Sequence, residues 1–150
     1  MSTKFEDILY DVSSKGVARL TINRESSYNA YTTKTLQEIR EAVRKAAFDP
    51  GVYMLVVTGT GRKAFCTGGD VKEYADHYVQ HPQDFWQYMV HFQDCLDAIR
   101  HLGKPTIARL NGMTVGGGNE FNMACDLAVM AEHAFIRQVG TRVGSVAAGG

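Results

Sequence analysis

The 150-residue sequence has no excess of either charge, because sixteen basic and sixteen acidic side chains cancel. A balanced chain offers no electrostatic footprint for nucleic acid or an anionic membrane, so an anionic ligand has to be met by local cations. No apolar stretch approaches the ~20 residues that a membrane span requires. The opening "MSTKFEDILYDV" lacks the apolar core of a signal peptide and carries acids that transit peptides avoid. Cysteine is sparse. Cys66, Cys95 and Cys125 are widely spaced and form no Cys-x-x-Cys pair, which argues against a zinc site or a disulfide framework. Reduced thiols in a cytoplasmic protein are the simplest reading. Neither a G-x-x-x-x-G-K-S/T loop nor an H-E-x-x-H helix occurs, and the five histidines lack ligand spacing, so nucleotide hydrolysis and metal catalysis have no support.

What is present is an ordinary globular composition, 45% hydrophobic and 21% charged, at a length suited to one domain over residues 1–150. "ILYDVSSKGVARLTIN" predicts a hairpin, with two β-rich runs flanking Ser13 to Gly16. "ESSYNAYTTK" is a polar loop. Thr32 or Thr33 then caps a helix in which Leu36, Ile39, Val43 and Ala47 keep a three-to-four spacing, stopped by Asp49-Pro50-Gly51. "VYMLVVTG" is a short apolar run expected as a strand covered on both faces. Phe85, Met89, Phe92, Leu96 and Ile99 give a second helix from Pro82, closed by Gly103 and Pro105. "TIARL" predicts a strand, "EFNMAC" a helix, "DLAVMA" another buried strand, and "AFIRQVG" one more. This alternation predicts an α/β layered domain. The end, "GTRVGSVAAGG", has no closing helix or strand, and the expectation is a portion of a longer chain.

Gly59-Thr60-Gly61-Arg62-Lys63-Ala64 fits the dinucleotide fingerprint G-x-G-x-x-A, but no helical period follows it. Without a helix N-terminus to meet a pyrophosphate, the match is a decoy. Two glycine turns remain, Thr67-Gly68-Gly69-Asp70 and Gly116-Gly117-Gly118. Each follows a strand and exposes backbone N–H groups that no Cβ shields. If they face one another they make an oxyanion hole, with Glu120 one helical turn past Gly117 and in reach of the same pocket. The alternative is a pair of tight turns for close helix–sheet packing, with Glu120 as a capping carboxylate. Spacing alone leaves both open.

"AFCTGGDVKE" (Ala64 to Glu73), "KPTIARLNGMTVGGGNEFNMACDLAVMAE" (Lys104 to Glu132) and "LTINRESSYNAYT" together closely resemble the crotonase (enoyl-CoA hydratase/isomerase) superfamily. The resemblance covers essentially the whole chain, in order. It implies an α/β spiral of ββα units, the crotonase-like (ClpP/crotonase) fold, with the C-terminal helices missing here. It also implies an enzyme whose acyl-CoA thioester oxygen sits between the amides of Gly69 and Gly117, which stabilise an enolate. Coenzyme A enters as part of the substrate thioester, and no separate cofactor is implied. Tyr28, Ala30, Thr67, Gly68, Asp70 and Val71 become candidate substrate contacts, with Lys72, Arg62 and Lys63 as possible phosphate partners. Relatives usually form trimers or dimers of trimers, so a homotrimer or homohexamer is expected.

Hydratases of the family use two glutamates. The first matches Glu120; the second aligns to Gly140 and is absent. "QVGTRVGSVAAGG" is similar to the branch holding dihydroxynaphthoyl-CoA synthase and the ring-opening hydrolases of cyclic oxoacyl-CoAs. Relatives there often carry an aspartate where this chain has Ala147, and some lack the glutamate kept here as Glu120. The combination is most similar to the 6-oxocyclohex-1-ene-1-carbonyl-CoA hydrolases, which add water to a ring double bond and then open the ring. A simple enoyl-CoA hydratase, a single-glutamate isomerase and a non-catalytic acyl-CoA-binding homologue are the alternatives. Asp76, His77, His81 and Tyr88 are candidates for a second acid–base group, against a solvated loop and helix face. Phe85, Trp86 and Tyr88 stand equally as core or as an aromatic lid.

Overall fold

The computed structural model describes residues 5–142 and 146–149. β1 (Ile8–Val12) and β2 (Val17–Ile22) form the expected antiparallel hairpin, in register from Ile8 opposite Ile22 to Val12 opposite Ala18. Ala18, Leu20 and Ile22 are buried and Arg19 is exposed, as period-two alternation requires. Thr32 caps α1 (Thr33–Phe48) in a reciprocal box: its hydroxyl accepts from the Thr35 amide, and the Thr35 hydroxyl accepts from the Thr32 amide at 3.0 Å. Leu36, Ile39, Val43 and Ala46 form the buried stripe of that helix.

β3 (Met54–Gly59) runs parallel to β2, and β4 (Ala64–Cys66) follows at once. The chain then makes a single helical turn, α2 (Val71–Glu73), which widens into a π-helical turn (Tyr74–Tyr78) before α3 (Pro82–Arg100). β5 (Thr106–Leu110), β6 (Met113–Val115) and α4 (Gly117–Ala124) come next, then β7 (Leu127–Met130) and β8 (Ile136–Arg137). The strands sort into two sheets, ordered β1-β2-β3-β5-β7 and β4-β6-β8. Successive strand pairs β3/β4, β5/β6 and β7/β8 therefore each put one strand in the large sheet and one in the small sheet. This is the spiral of ββα units that the resemblance implied. No helix opens at Gly59–Ala64, so the dinucleotide fingerprint is indeed a decoy.

One expectation needs correcting. β7 is a strand, but Leu127, Val129 and Met130 are half or more exposed. Among the described residues it pairs with β5 alone and forms an edge of the large sheet, so only one long side of it meets described protein. Of the two readings left open for the aromatic residues of α3, core fits Tyr88, which is buried, and not Trp86, at 72% exposure. β4 and β6 were not recognised as a sheet, since three residues are too few to show a period.

Two buried asparagines fix the connection between the sheets. The Asn111 side chain accepts from the Gly59 amide at 3.0 Å and donates to the carbonyls of Gly61 and Ala64 at 2.8 and 3.0 Å. Asn29, held at a positive φ of 55°, donates to the carbonyls of Thr60 and Ala64 at 3.0 and 2.8 Å. Removing one partner strands several buried backbone groups. We predict that Asn111→Ala lowers stability in urea unfolding by about 2–3 kcal/mol; a loss below about 0.5 kcal/mol, typical of a surface change, would show that these bonds do not hold the connection.

Candidate active site

β4 and β6 are parallel neighbours, so the chain leaves both at the same edge of the small sheet. That brings the two glycine turns side by side. A methyl group on Gly118 would stand 2.1 Å from the Cys66 carbonyl oxygen, which no side chain allows, and one on Gly68 would stand 3.4 Å from the Gly117 nitrogen. Gly68 also has a φ of +97° and Gly116 one of +55°, conformations that side chains rarely adopt.

The Gly68 carbonyl accepts from the Tyr31 amide at 2.9 Å, and the Asp70 amide donates to the Tyr31 carbonyl at 2.9 Å. In such a parallel bridge the intervening residue, Gly69, aims its own N–H the other way. Gly117 is the first residue of α4, where an N–H has no intrahelical partner. Among the described residues, neither amide has a backbone acceptor. Two unpaired donors on adjacent turns, one of them at a helix N-terminus, can hold a developing oxyanion.

Glu120 lies in the first turn of α4 and is 4% exposed. Its carboxylate accepts from the Gly149 amide at 2.6 Å. The segment carrying Gly149 crosses α3, where Gln93 and Arg100 donate to the carbonyls of Ala148 and Gly149. Gly140 follows β8, which pairs with β6, so its segment leaves the small sheet as the third in the row of post-strand turns. Ala147 is exposed, and Ser145 lies outside the described residues.

The candidate substrate contacts are joined by backbone and by one cation. The Thr67 hydroxyl donates to the Tyr28 carbonyl at 3.2 Å. Arg24 donates to the Ala30 carbonyl and pairs with Asp70 at 2.9 Å, while Asp70 also caps α2 through the Lys72 amide. Arg24 therefore clamps the Tyr28–Ala30 loop to the Thr67–Val71 turn, a role that sequence reading missed. The signal was available as an arginine directly after "TIN", but an isolated arginine is usually only solvated. Tyr28 and Val71 are open to solvent at this joint, with exposed Lys72 beside them. Arg62 and Lys63 precede β4 and so lie at the opposite end of that strand from the glycine turns; the His133 Nε2 donates to the Arg62 carbonyl there at 3.0 Å.

Of the four candidates for a second acid–base group, Asp76, His77 and His81 are exposed, with His77 paired to Asp84 at 3.0 Å and stacked on His81. Tyr88 alone is at the site. Its hydroxyl lies against Gly69, 2.5 Å from that of Tyr74, and a methyl on Gly69 would meet both. Tyr31 similarly places its hydroxyl over Gly117. Tyr31 and Tyr74 gave no sequence signal, since their positions depend on the turns they cover.

Comparison with known proteins is direct at this point: the enoyl-CoA hydratase/isomerase family model matches residues 12–150. The chain belongs to this family. It is 44% identical over 133 residues to a 6-oxocyclohex-1-ene-1-carbonyl-CoA hydrolase of Geobacter metallireducens, covering 89% of this chain and 35% of that protein. Against the hydrolase of the same name from Thauera aromatica it is 43% identical over 131 residues, covering 87% and 35%. It superposes on an enoyl-CoA hydratase of Bacillus anthracis with a TM-score of 0.89 at 27% identity, covering 97% of this chain and 55% of that one. An enoyl-CoA hydratase/isomerase of Xanthobacter autotrophicus Py2 gives 0.89 at 32% identity, covering 97% and 53%. The chain thus spans about a third of the length of these curated relatives and about half of the solved ones. The α/β crotonase fold is that of the family. Among the described residues, no helix is long and apolar enough to cross a membrane.

Cys66, the last residue of β4 before the first glycine turn, carries a buried thiol. Burial pushes Cys66 up to about 12, opposed by the Gly68 amide and by Arg24, and burial pushes Cys95 and Cys125 up to about 12 as well. A thiol whose folded value lies above its unfolded value of 9.0 contributes stability that is complete below pH 9 and is lost as pH rises toward 12. At pH 8 a disulfide reagent is therefore expected to leave all three thiols of the native protein almost unreacted and to titrate them only on unfolding. Fast reaction of native protein would contradict the buried, neutral assignment.

Proposed function

We propose that the protein is an acyl-CoA enzyme that adds water to a cyclic 6-oxo-enoyl-CoA and then opens the ring by hydrolysis. The observation that carries this reading is the pairing of two adjacent glycine turns with one buried carboxylate, where the aligned second carboxylate is Gly140. The names of the curated relatives point the same way.

In the proposed mechanism Glu120 takes a proton from water, whose oxygen bonds to the ring carbon β to the thioester. The π electrons of the double bond move onto the thioester, and the enolate oxygen rests on the amides of Gly69 and Gly117. The α-carbon then receives the proton and the enolate collapses. In the second step water adds to the ring ketone, and the bond from that carbon to the α-carbon breaks. Glu120 takes the proton of that water, the electron pair returns to the thioester as an enolate on the same oxygen, and the α-carbon takes the proton back from Glu120, leaving a carboxylic acid on the opened chain that ionises to solvent. Both steps charge the same oxygen, so one pair of donors serves both. Removing a donor of this kind costs about 3–4 kcal/mol of transition-state stabilisation. Tyr28, Ala30, Thr67, Gly68, Asp70 and Val71 carry the coenzyme A portion. We further propose a homotrimer or homohexamer in the cytoplasm; a monomer by sedimentation would end that part of the proposal.

Incubation with 6-oxocyclohex-1-ene-1-carbonyl-CoA is expected to give a product heavier by two waters. Gain of a single water on a linear enoyl-CoA, with no reaction of the cyclic one, would instead identify a simple hydratase. Double-bond movement without mass change would identify an isomerase, and binding without conversion an acyl-CoA-binding homologue. Glu120→Gln is expected to reduce turnover by about 10²–10⁴-fold while thioester affinity stays within a few-fold. Unchanged turnover would remove Glu120 from its role.

A further inference from the structure

α4 fixes where the Glu120 side chain starts, but three rotatable bonds separate its carboxylate from the helix. The far end is held by the peptide group between Ala148 and Gly149. Its N–H donates to the Glu120 Oε2 at 2.6 Å, and its C=O accepts from the Gln93 side chain at 3.3 Å. A trans peptide is planar and points these two groups in opposite directions, so a grip at one end turns the whole plane. The next carbonyl, that of Gly149, accepts from Arg100, whose guanidinium is itself aimed by Asp97 at 3.1 Å.

Gln93, Leu96, Asp97 and Arg100 lie at i, i+3, i+4 and i+7 and so share one face of α3. Leu96 is buried beneath the crossing strap, and the three polar residues around it are exposed. A methyl on Gly149 would stand 2.0 Å from the Leu96 Cδ1 and 3.1 Å from the Glu120 Oε2, so a larger residue there would have to displace a buried leucine. Among the described residues, the Gly149 amide is the one hydrogen-bond donor to the Glu120 side chain. Gln93 and Arg100 reach that carboxylate through the strap.

We infer that Gln93 and Arg100 are positioning residues for the general base: they hold the Ala148–Gly149 peptide plane so that its N–H engages Oε2 of Glu120 and leaves Oε1 to take the proton from water. This rests on the reading of Glu120 as that base, proposed above. A reacting group displaced by about 1 Å can lose about 100-fold in rate, so the orientation of the carboxylate is worth holding at both ends. Hydrogen bonds at the two ends of one peptide polarise one another, so Gln93 strengthens the bond to Glu120 without touching it. Neither Gln93 nor Arg100 is among the candidate thioester contacts, so their grip acts on rate and not on substrate affinity.

The test is a double-mutant cycle on the turnover of 6-oxocyclohex-1-ene-1-carbonyl-CoA. Arg100→Met and Gln93→Leu are each expected to lower kcat about 10-fold with KM within about two-fold, and to lower the residual turnover of Glu120→Gln by less than about two-fold. Arg40→Met, which removes a different ion pair of α3 at Asp94, is the control and is expected to leave turnover unchanged. Equal fractional losses with and without Glu120 would mark a general structural effect and overturn the inference, as would no loss in either variant. Amide exchange of Gly149, followed by NMR in glycine-labelled protein, needs no substrate. Both substitutions are expected to speed it about 10-fold, and unchanged exchange would overturn the inference whether or not the thioester is turned over. Full turnover by Glu120→Gln alone would overturn the reading of Glu120 as the base, and the inference with it.

Discussion

The close approach of two backbones, Gly118 against the Cys66 carbonyl, is the constraint on which the site depends. It is a contact between strand ends, and it exists only because β4 and β6 are parallel neighbours in a sheet three strands wide. Any Cβ at position 118 would push α4 away from β4, and with it both the Gly117 amide and Glu120. The Asn29 and Asn111 side chains meet at the Ala64 carbonyl, at the start of β4, and so locate the strand from its other end. Two buried amides and one glycine thus set the separation of the two turns. Their precision comes from backbone and from short, fully bonded side chains, which have few rotamers to sample.

Electrostatically, the site is arranged for a charge that is absent from the resting protein. Among the described residues, no permanent cation is among the contacts of the Gly69 and Gly117 turns except Arg24, whose guanidinium is matched by Asp70. Amides and a helix N-terminus remain, and these stabilise an oxyanion without binding a resting anion strongly. Glu120 adds a negative charge close by, where Gly149 supplies its hydrogen bond. A carboxylate near an oxyanion hole would be unfavourable if both were charged together. In the proposed mechanism they are not: Glu120 is protonated when the enolate forms and ionised again when it collapses.

What could be read from the sequence was what the chemistry forces onto residue type. Glycine turns are conspicuous because only glycine satisfies them, and Glu120 was legible because its spacing from Gly117 is one helical turn. The hairpin, α1 and α3 were legible because each is long enough to show a period. The small sheet was not, since its strands are two or three residues long and owe their existence to neighbours far along the chain. The exposure of β7 was not legible either, because an apolar run reports only that a strand prefers cover and not that cover is present. Asn29 read as loop polarity although it is buried, and Asn111, also buried, gave no signal at all. The tyrosines of the site are the clearest case. Tyr31, Tyr74 and Tyr88 lie in three different segments, and only packing brings their hydroxyls together.

That convergence bears on the missing second carboxylate. The three post-strand turns carry Gly69, Gly117 and Gly140 in a row, so the third unit presents bare backbone where a two-glutamate hydratase would present an acid. A second carboxylate positions water and returns the proton in a single hydration. On the proposed reaction two waters must act in succession, at carbons on opposite sides of the α-carbon, and a fixed second acid would favour one of these over the other. Neutral phenols carry no such bias. The Tyr74 and Tyr88 hydroxyls, 2.5 Å apart beside Gly69, donate without adding negative charge beside the enolate. A site with one carboxylate, two amides and neutral hydroxyls thus leaves water free to act at both carbons in turn, which a second fixed carboxylate would not.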